Sequence, residues 1–336
     1  MSKGQQNNKI ISLLKRLDNL IEADEPLSED QVIKYENSLL KIINSRLPKY
    51  LFHYSAVNDY SFDNFKSDRI YLNNPSNYND PTDSMAYVNP DEVIQQVLGF
   101  GIIISEDDFS EDGMDDIDPD EELVKRVQLA NDAISTINYI RSRIKTVCFS
   151  EDIKSSLMWS HYAGFHTGYA LRYKVDETSL EECLTCEERV CHRKPFPFYP
   201  VLYNNKRCDV SRYAIARALY NDMGLEIDER LVPIPLLPLI QKGKEWEYEK
   251  EWRILCCDRQ RDYMVMKPDA IYLGSEIRKD NAVKFATIAH EKRIPIYLMD
   301  IDYFDSKFVL DYKDLTDYSN EEIAEMLPEP REWYGK

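Results

Sequence analysis

The chain has 336 residues, a formal net charge of −18 and 43% hydrophobic residues. That length and apolar content provide for one large domain or two ordinary ones and exclude global disorder. The acidic balance argues against passive binding along a phosphate backbone. No stretch approaches the roughly 18 apolar residues of a membrane helix, and "MSKGQQNNKIISLLKRLDNL" lacks the apolar run of a signal peptide. The expectation is a cytoplasmic protein with no membrane partner, its seven scattered cysteines reduced.

In chain order, Ile10, Leu13, Leu14, Leu17 and Leu20 recur at helical spacing, and "SEDQ" at 28–31 has the form of a capping box. Residues 1–48 therefore read as a helical hairpin ahead of a core domain at 49–312. "YLFHYSA" at 50–56 reads as an aromatic strand, and "DRIYLNNPSNYNDPTDS" as a short strand running into a turn-rich loop. A helical stretch around 91–101 precedes residues 105–122, which hold eleven acidic residues and no basic one. Such a run repels itself and reads as a solvated insertion at about 104–122, available to a protein partner, as are the N-terminal helices.

Residues 122–145 have the apolar spacing of a long amphipathic helix. "TVCFS" follows as a buried strand, "SSLMWSHYAG" as a short helix and "GYALRYKV" as another strand. "CLTCEERVCH" offers Cys183, Cys186, Cys191 and His192, and its first pair has zinc-knuckle spacing. Adjacent Cys191 and His192 are poorly placed to chelate one ion, and no second CxxC follows, so ordinary thiols are favoured over a metal site. "YPVLYNN" reads as a strand, 210–223 as a helix, and "VPIPLLPLI" as too rich in proline for a helix interior.

"KGKEWEYEKEWRIL" at 242–255 reads as one strand of period two. Trp246, Tyr248, Trp252 and Ile254 share one face with Lys250. Glu245, Glu247, Glu249, Glu251 and Arg253 share the other. Two explanations stand: a half-exposed strand with a solvated charged face, or a catalytic strand facing a cleft. "AIYLGSEI", "NAVKFATIAHEKR" and "IPIYLMDID" form a strand, a helix and a strand, and residues 313–336 an acidic tail. The sum is an α+β fold with a split or mixed β-sheet core of short strands and helical insertions.

"LFHYSA", "IYLNNPSNYNDPTDS", "VCFSEDIKSSLMWSHYAGFHTGYALRY", "KGKEWEYEKEWRIL" and "AIYLGSEI" together resemble domain-of-unknown-function family 2971, from about residue 50 to residue 300. The "MWSHYA" and "WEYEKEWR" blocks carry most of that resemblance. The order of the blocks also resembles the ADP-ribosyltransferase fold, in which a His or Arg on a first strand, an aromatic or Ser on a second element and a Glu on a late strand share one cleft. This second resemblance implies cleavage of the nicotinamide–ribose bond of NAD as substrate, with a protein or nucleic-acid acceptor, in a bacterial toxin or anti-phage effector. The alternative is a non-catalytic nucleotide-sensing or interaction module of a defence system.

Residue by residue, the resemblance implies catalytic roles for Glu251, at the ribose, and Glu249, at the acceptor. Nicotinamide–ribose cleavage passes through an oxocarbenium-like state, which a nearby carboxylate stabilises. His53 is the expected donor to ribose, with Tyr54 beside it. Trp159 and Tyr162, at i and i+3, are expected to form an aromatic wall, with Ser160 between them. Arg253 is expected to hold Glu251 ionised or to bind a phosphate, and Asp80 to orient His53 or Arg253. Core packing is the competing explanation for His53 and Tyr54, and the favoured one for Tyr54, as it is the competing explanation for Trp159 and Tyr162 together.

Overall fold

A computed structural model describes residues 2–17, 28–93, 95–96, 144–175, 198–222, 236–256, 261–301 and 309–327, with single helical positions between 128 and 142. The acidic stretch at 104–122, the Cys183, Cys186, Cys191 and His192 set, Leu20 and everything beyond Leu327 lie outside the described residues.

Helices α1 (Lys3–Leu17) and α2 (Glu29–Asn44) pack together. Ser28 starts α2 with a complete capping box: its hydroxyl accepts from the Gln31 amide, and the Gln31 side chain accepts from the Ser28 amide. Ile10, Leu14, Leu39 and Ile43 join the same apolar cluster as the sheet residues, so the hairpin shares the core of the molecule.

Eight strands form one mixed sheet in the order β12-β11-β10-β4-β1-β3-β8-β5. They are β1 (Tyr50–Ser55), β3 (Lys145–Ser150), β4 (Tyr169–Lys174), β5 (Tyr199–Pro200), β8 (Glu251–Cys256), β10 (Ala270–Leu273), β11 (Ile296–Ile301) and β12 (Leu310–Asp314). Strands β2 (Arg69–Tyr71) and β9 (Tyr263–Val265) form a separate antiparallel ladder, and β6 (Leu202–Asn204) and β7 (Gln241–Gly243) a parallel one. The parallel pair of the main sheet is β10–β11, joined through α6 (Lys279–Lys292), as a crossover helix requires. Further helices are α3 (Ser61–Lys66), α4 (Ser156–Tyr162), α5 (Ser211–Asp222) and α7 (Asn320–Met326). The architecture is thus α+β around a large mixed sheet. Strand β12 and the buried Leu315, Ile323 and Leu327 build much of the segment read as an acidic tail into the sheet and core.

Period-two alternation sorts the two faces. Leu51, Phe149, Leu171, Trp252, Ile254 and Ile271 point into the larger core, while Phe52, Tyr54, Ala170, Tyr272 and Met299 pack with Met158 and Trp159 of α4. Strand β1 pairs with β4 along its whole length but with β3 only where Phe52 lies opposite Ser150. The sheet is therefore pried open between β1 and β3.

The continuous strand expected at 242–255 does not exist. Lys244–Glu249 form a 3-10 helix, closed by Lys250 in the left-handed region (φ 47°), and β8 begins at Glu251. A left-handed residue with a Cβ breaks strand geometry, so the alternation read across Lys250 loses its phase. Glu245 and Glu247 are exposed on the 3-10 turn, whereas Glu249 and Glu251 turn inward.

Candidate active site

A cavity of about 320 Å³ lies where β1 and β3 part. His53 of β1, Cys148 of β3, Tyr162 of α4, Lys242 of β7 and the pair Glu249 and Glu251 line it, with Tyr78 from the loop after β2. Four residues expected from the sequence to share a cleft, His53, Tyr162, Glu249 and Glu251, thus border one cavity although they are drawn from three distant parts of the chain.

Its electrostatic centre is a buried array of three carboxylates and two cations. Lys242 sits among the acids, with Nζ 2.5 Å from Glu249 Oε2, 3.3 Å from Glu251 Oε2 and 3.2 Å from Asp83 Oδ2. Arg253 donates to both oxygens of Glu251 at 2.7 and 3.0 Å and to both oxygens of Asp83 at 2.8 and 2.6 Å. Ser84 Oγ and the Leu239 carbonyl each accept a further bond from Arg253 Nη1. Such bidentate pairs fix the planar guanidinium in place.

Burial alone would raise the pKa of Glu251, but Arg253 and Lys242 outweigh it and hold the carboxyl well below the usual range. Burial would lower Lys242, yet the charges of Glu251, Asp83 and Glu249 keep it above its ordinary value and protonated. Glu249 differs: burial, and then the charge of Glu251, push it up to about 7, against the pull of Lys242 and of Tyr162, whose hydroxyl donates to Oε1 at 2.5 Å. With Glu249 ionised the array carries one negative charge in excess; with Glu249 protonated it is balanced. One carboxylate stays charged while its neighbour exchanges a proton near neutrality, the condition that suits acid–base work.

His53 is placed as expected, with a different role. Its Nδ1 lies 2.9 Å from the Cys148 carbonyl, which only accepts, so Nδ1 carries the proton. Burial lowers its pKa, so the ring is neutral near pH 7 and Nε2 offers a lone pair. In this tautomer Nε2 can accept a hydrogen bond and cannot donate one, which does not fit the donor role expected.

Other assignments are corrected. Trp159 is fully buried, donates its indole N–H to the Ile153 carbonyl and packs edge-on against Tyr54; it belongs to the core, and Tyr162 alone of that pair faces the cavity. Tyr54 borders the cavity, but its hydroxyl is committed to the Asp152 carbonyl and its ring packs against Trp159. Ser160 donates to the Ser156 carbonyl and meets His166 Nε2 at 3.2 Å, outside the cavity lining. Arg253 is fully buried and its donors are taken by Glu251, Asp83, Ser84 and Leu239, so it holds Glu251 and binds no phosphate. Asp80 accepts from the amide and hydroxyl of Thr82 in a turn of the loop, and the partner of Arg253 is Asp83, three residues on. Truncating Trp159 to Ala is expected to cost about 3–5 kcal/mol. Urea unfolding measures this, and a loss below about 1 kcal/mol would contradict a packed core ring.

Lys242, Asp83 and Tyr78 are the residues that the sequence did not single out. Lys242 stands inside the quoted 242–255 block, but strand phasing puts it on the aromatic face. The 3-10 turn folds it back over Glu249 and Glu251, with its ammonium also 4.9 Å from the centre of the Trp246 ring. Asp83 lies in "NDPTDS", where turn chemistry explains every polar residue equally well. Tyr78, whose hydroxyl meets Thr146 and Cys148, has no local signal.

Residues 158–254 match the family model described as "Protein of unknown function (DUF2971)". The matched stretch begins in α4 and ends in β8, taking in both blocks that carry the resemblance and, with them, Tyr162, Lys242, Glu249, Glu251 and Arg253. No curated protein and no solved structure matches the chain. Among the described residues, no helix is long and apolar enough to cross a membrane.

Proposed function

We propose that the cavity takes the nicotinamide-ribose end of NAD and that the protein breaks the bond between them, passing the ADP-ribosyl group to an acceptor or to water. One observation carries this reading: His53, Glu249 and Glu251 border a single aromatic-walled cavity, where Arg253 and Lys242 favour the ionised form of Glu251 and burial pushes Glu249 up to about 7. The excess negative charge favours a cationic pyridinium ring. It also favours the positive charge that develops on the ribose as the bond breaks. The strand order β1-β3-β8 and the Glu249-x-Glu251 pair, its first member on a turn and its second on a strand, support an ADP-ribosyltransferase-like arrangement.

In this mechanism the C1′–N bond breaks and its electron pair leaves with neutral nicotinamide. Anionic Glu251 steadies the oxocarbenium-like ribose. The acceptor's oxygen or nitrogen bonds to C1′, and its proton passes to ionised Glu249. His53 Nε2 accepts from a ribose hydroxyl. Glu251 already accepts from Arg253 and Lys242 and, more weakly, from the Cys148 thiol, which burial keeps protonated. A ribose hydroxyl would replace that weak donor.

A second reading, a nucleotide-sensing module without turnover, is favoured by the pairing of both glutamates with buried cations. Incubation with NAD, with and without cell extract, separates the two. Nicotinamide release by the native protein, abolished in Glu251→Gln, is the expected result. Tight NAD binding without release in either condition would favour the sensor, and no NAD binding at all would overturn both.

A further inference from the structure

The cavity is small for the ligand proposed. Pockets for small molecules span about 300–1,000 Å³, and 320 Å³ lies at the lower end, room for one nucleoside-sized moiety of a dinucleotide. The diphosphate and second nucleoside must lie outside the mouth.

The β2–β9 ladder stands beside that mouth. Tyr71 lines the cavity and yet is 53% exposed. Its ring lies 5.7 Å from that of Tyr263, directly opposite in the ladder, at an interplanar angle of 69°. The exposed Arg69 guanidinium sits 5.9 Å from the Tyr263 ring centre, on the same face of β2 as Tyr71. A ring open to solvent at a cavity mouth, with a cation two residues away, has the makings of a stacking platform beside an anion contact.

We infer that Tyr71, backed by Tyr263 and Arg69, forms a second subsite at the cavity mouth. It stacks the other base of a dinucleotide, while Arg69 meets the diphosphate. This subsite rests on the NAD reading of the cavity.

The cross-strand Tyr71–Tyr263 pair also stabilises the short ladder, so the test must separate stacking from folding. Affinities for NAD and for nicotinamide mononucleotide are measured by calorimetry on the native protein, Tyr71→Phe and Tyr71→Leu. Phe keeps the ring, and Leu keeps apolar bulk in the ladder without it. The expected result is a loss of about tenfold or more in NAD affinity for Tyr71→Leu, with a clearly smaller loss for the mononucleotide and Tyr71→Phe like the native protein for both. An equal loss for the two ligands, or an unchanged NAD affinity in Tyr71→Leu, would overturn the subsite and leave the NAD reading standing. Native protein that binds neither ligand would overturn both.

Discussion

Replacing Arg253 by Met is expected to lower unfolding stability by about 3–5 kcal/mol, the usual cost of leaving buried charges without their partner. Arg253 is fully buried between Asp83 and Glu251, and its removal strands two carboxylates beside Lys242 alone. Against a typical total of about 5–15 kcal/mol, this threatens the fold itself. The loss should depend on pH. In the native protein the depressed pKa of Glu251 contributes stability that is present above the ordinary carboxylate range and lost as pH falls. In the variant the attraction of Arg253 is gone and burial favours the protonated acid, so the penalty should be larger at pH 8 than at pH 5. Urea unfolding at the two pH values measures both points. Adding Glu251→Gln to the Met variant should recover part of the loss at pH 8. A single variant as stable as the native protein at both pH values would contradict the buried array.

Glu249→Gln is expected to act on function and stability with opposite signs. Loss of a positioned acid–base group costs about 10²- to 10⁴-fold in rate, so nicotinamide release should fall by that order. The native rate should rise with pH through about 7, as Glu249 ionises to become the base, and the variant should lose that limb. Stability runs the other way. A carboxyl whose folded pKa is raised contributes stability that is fully present below its unfolded pKa, here the ordinary 4.5, and lost as pH climbs through the folded value of about 7. Glutamine removes the surplus negative charge. The variant should therefore melt higher than the native protein at pH 8 and much the same at pH 5. Thermal unfolding at both pH values, beside release kinetics, tests the pair. A variant that is less stable at pH 8, or fully active, would contradict this account of Glu249.

Local signals were legible in the sequence and long-range ones were not. Ser28 and Gln31 announce their capping box because both partners lie within four residues of each other. The strand, helix and strand from Ala270 to Ile301 follow from periodicity, and they pair in parallel as a crossover requires. His53, Tyr162 and Glu251 were placed at one cleft through a family resemblance, not through spacing, since 198 residues of sequence separate His53 from Glu251. The alternation through 242–255 misled because one left-handed residue, Lys250, resets the phase, and hydropathy does not register a backbone angle. That single turn converts four glutamates on one strand face into two exposed and two buried, and it delivers Lys242 between the buried pair. Asp83 and Arg253, 170 positions apart, carry no mark of their pairing. Trp159, buried in the core beside Tyr54, shows that helical proximity to Tyr162 does not decide which aromatic faces a ligand.

The most direct measurement follows the Glu249 carboxyl carbon by carbon-13 NMR in glutamate-labelled protein, its resonance identified by its absence in Glu249→Gln. Titration of the free protein should give a midpoint near 7. Saturating NAD should lower that midpoint, because a pyridinium cation beside the carboxylate favours its ionised form, whereas the uncharged ring of NADH should not. A carboxyl that titrates in the ordinary acidic range, or one that NAD leaves unmoved, would contradict the claim that this cavity receives the nicotinamide ring.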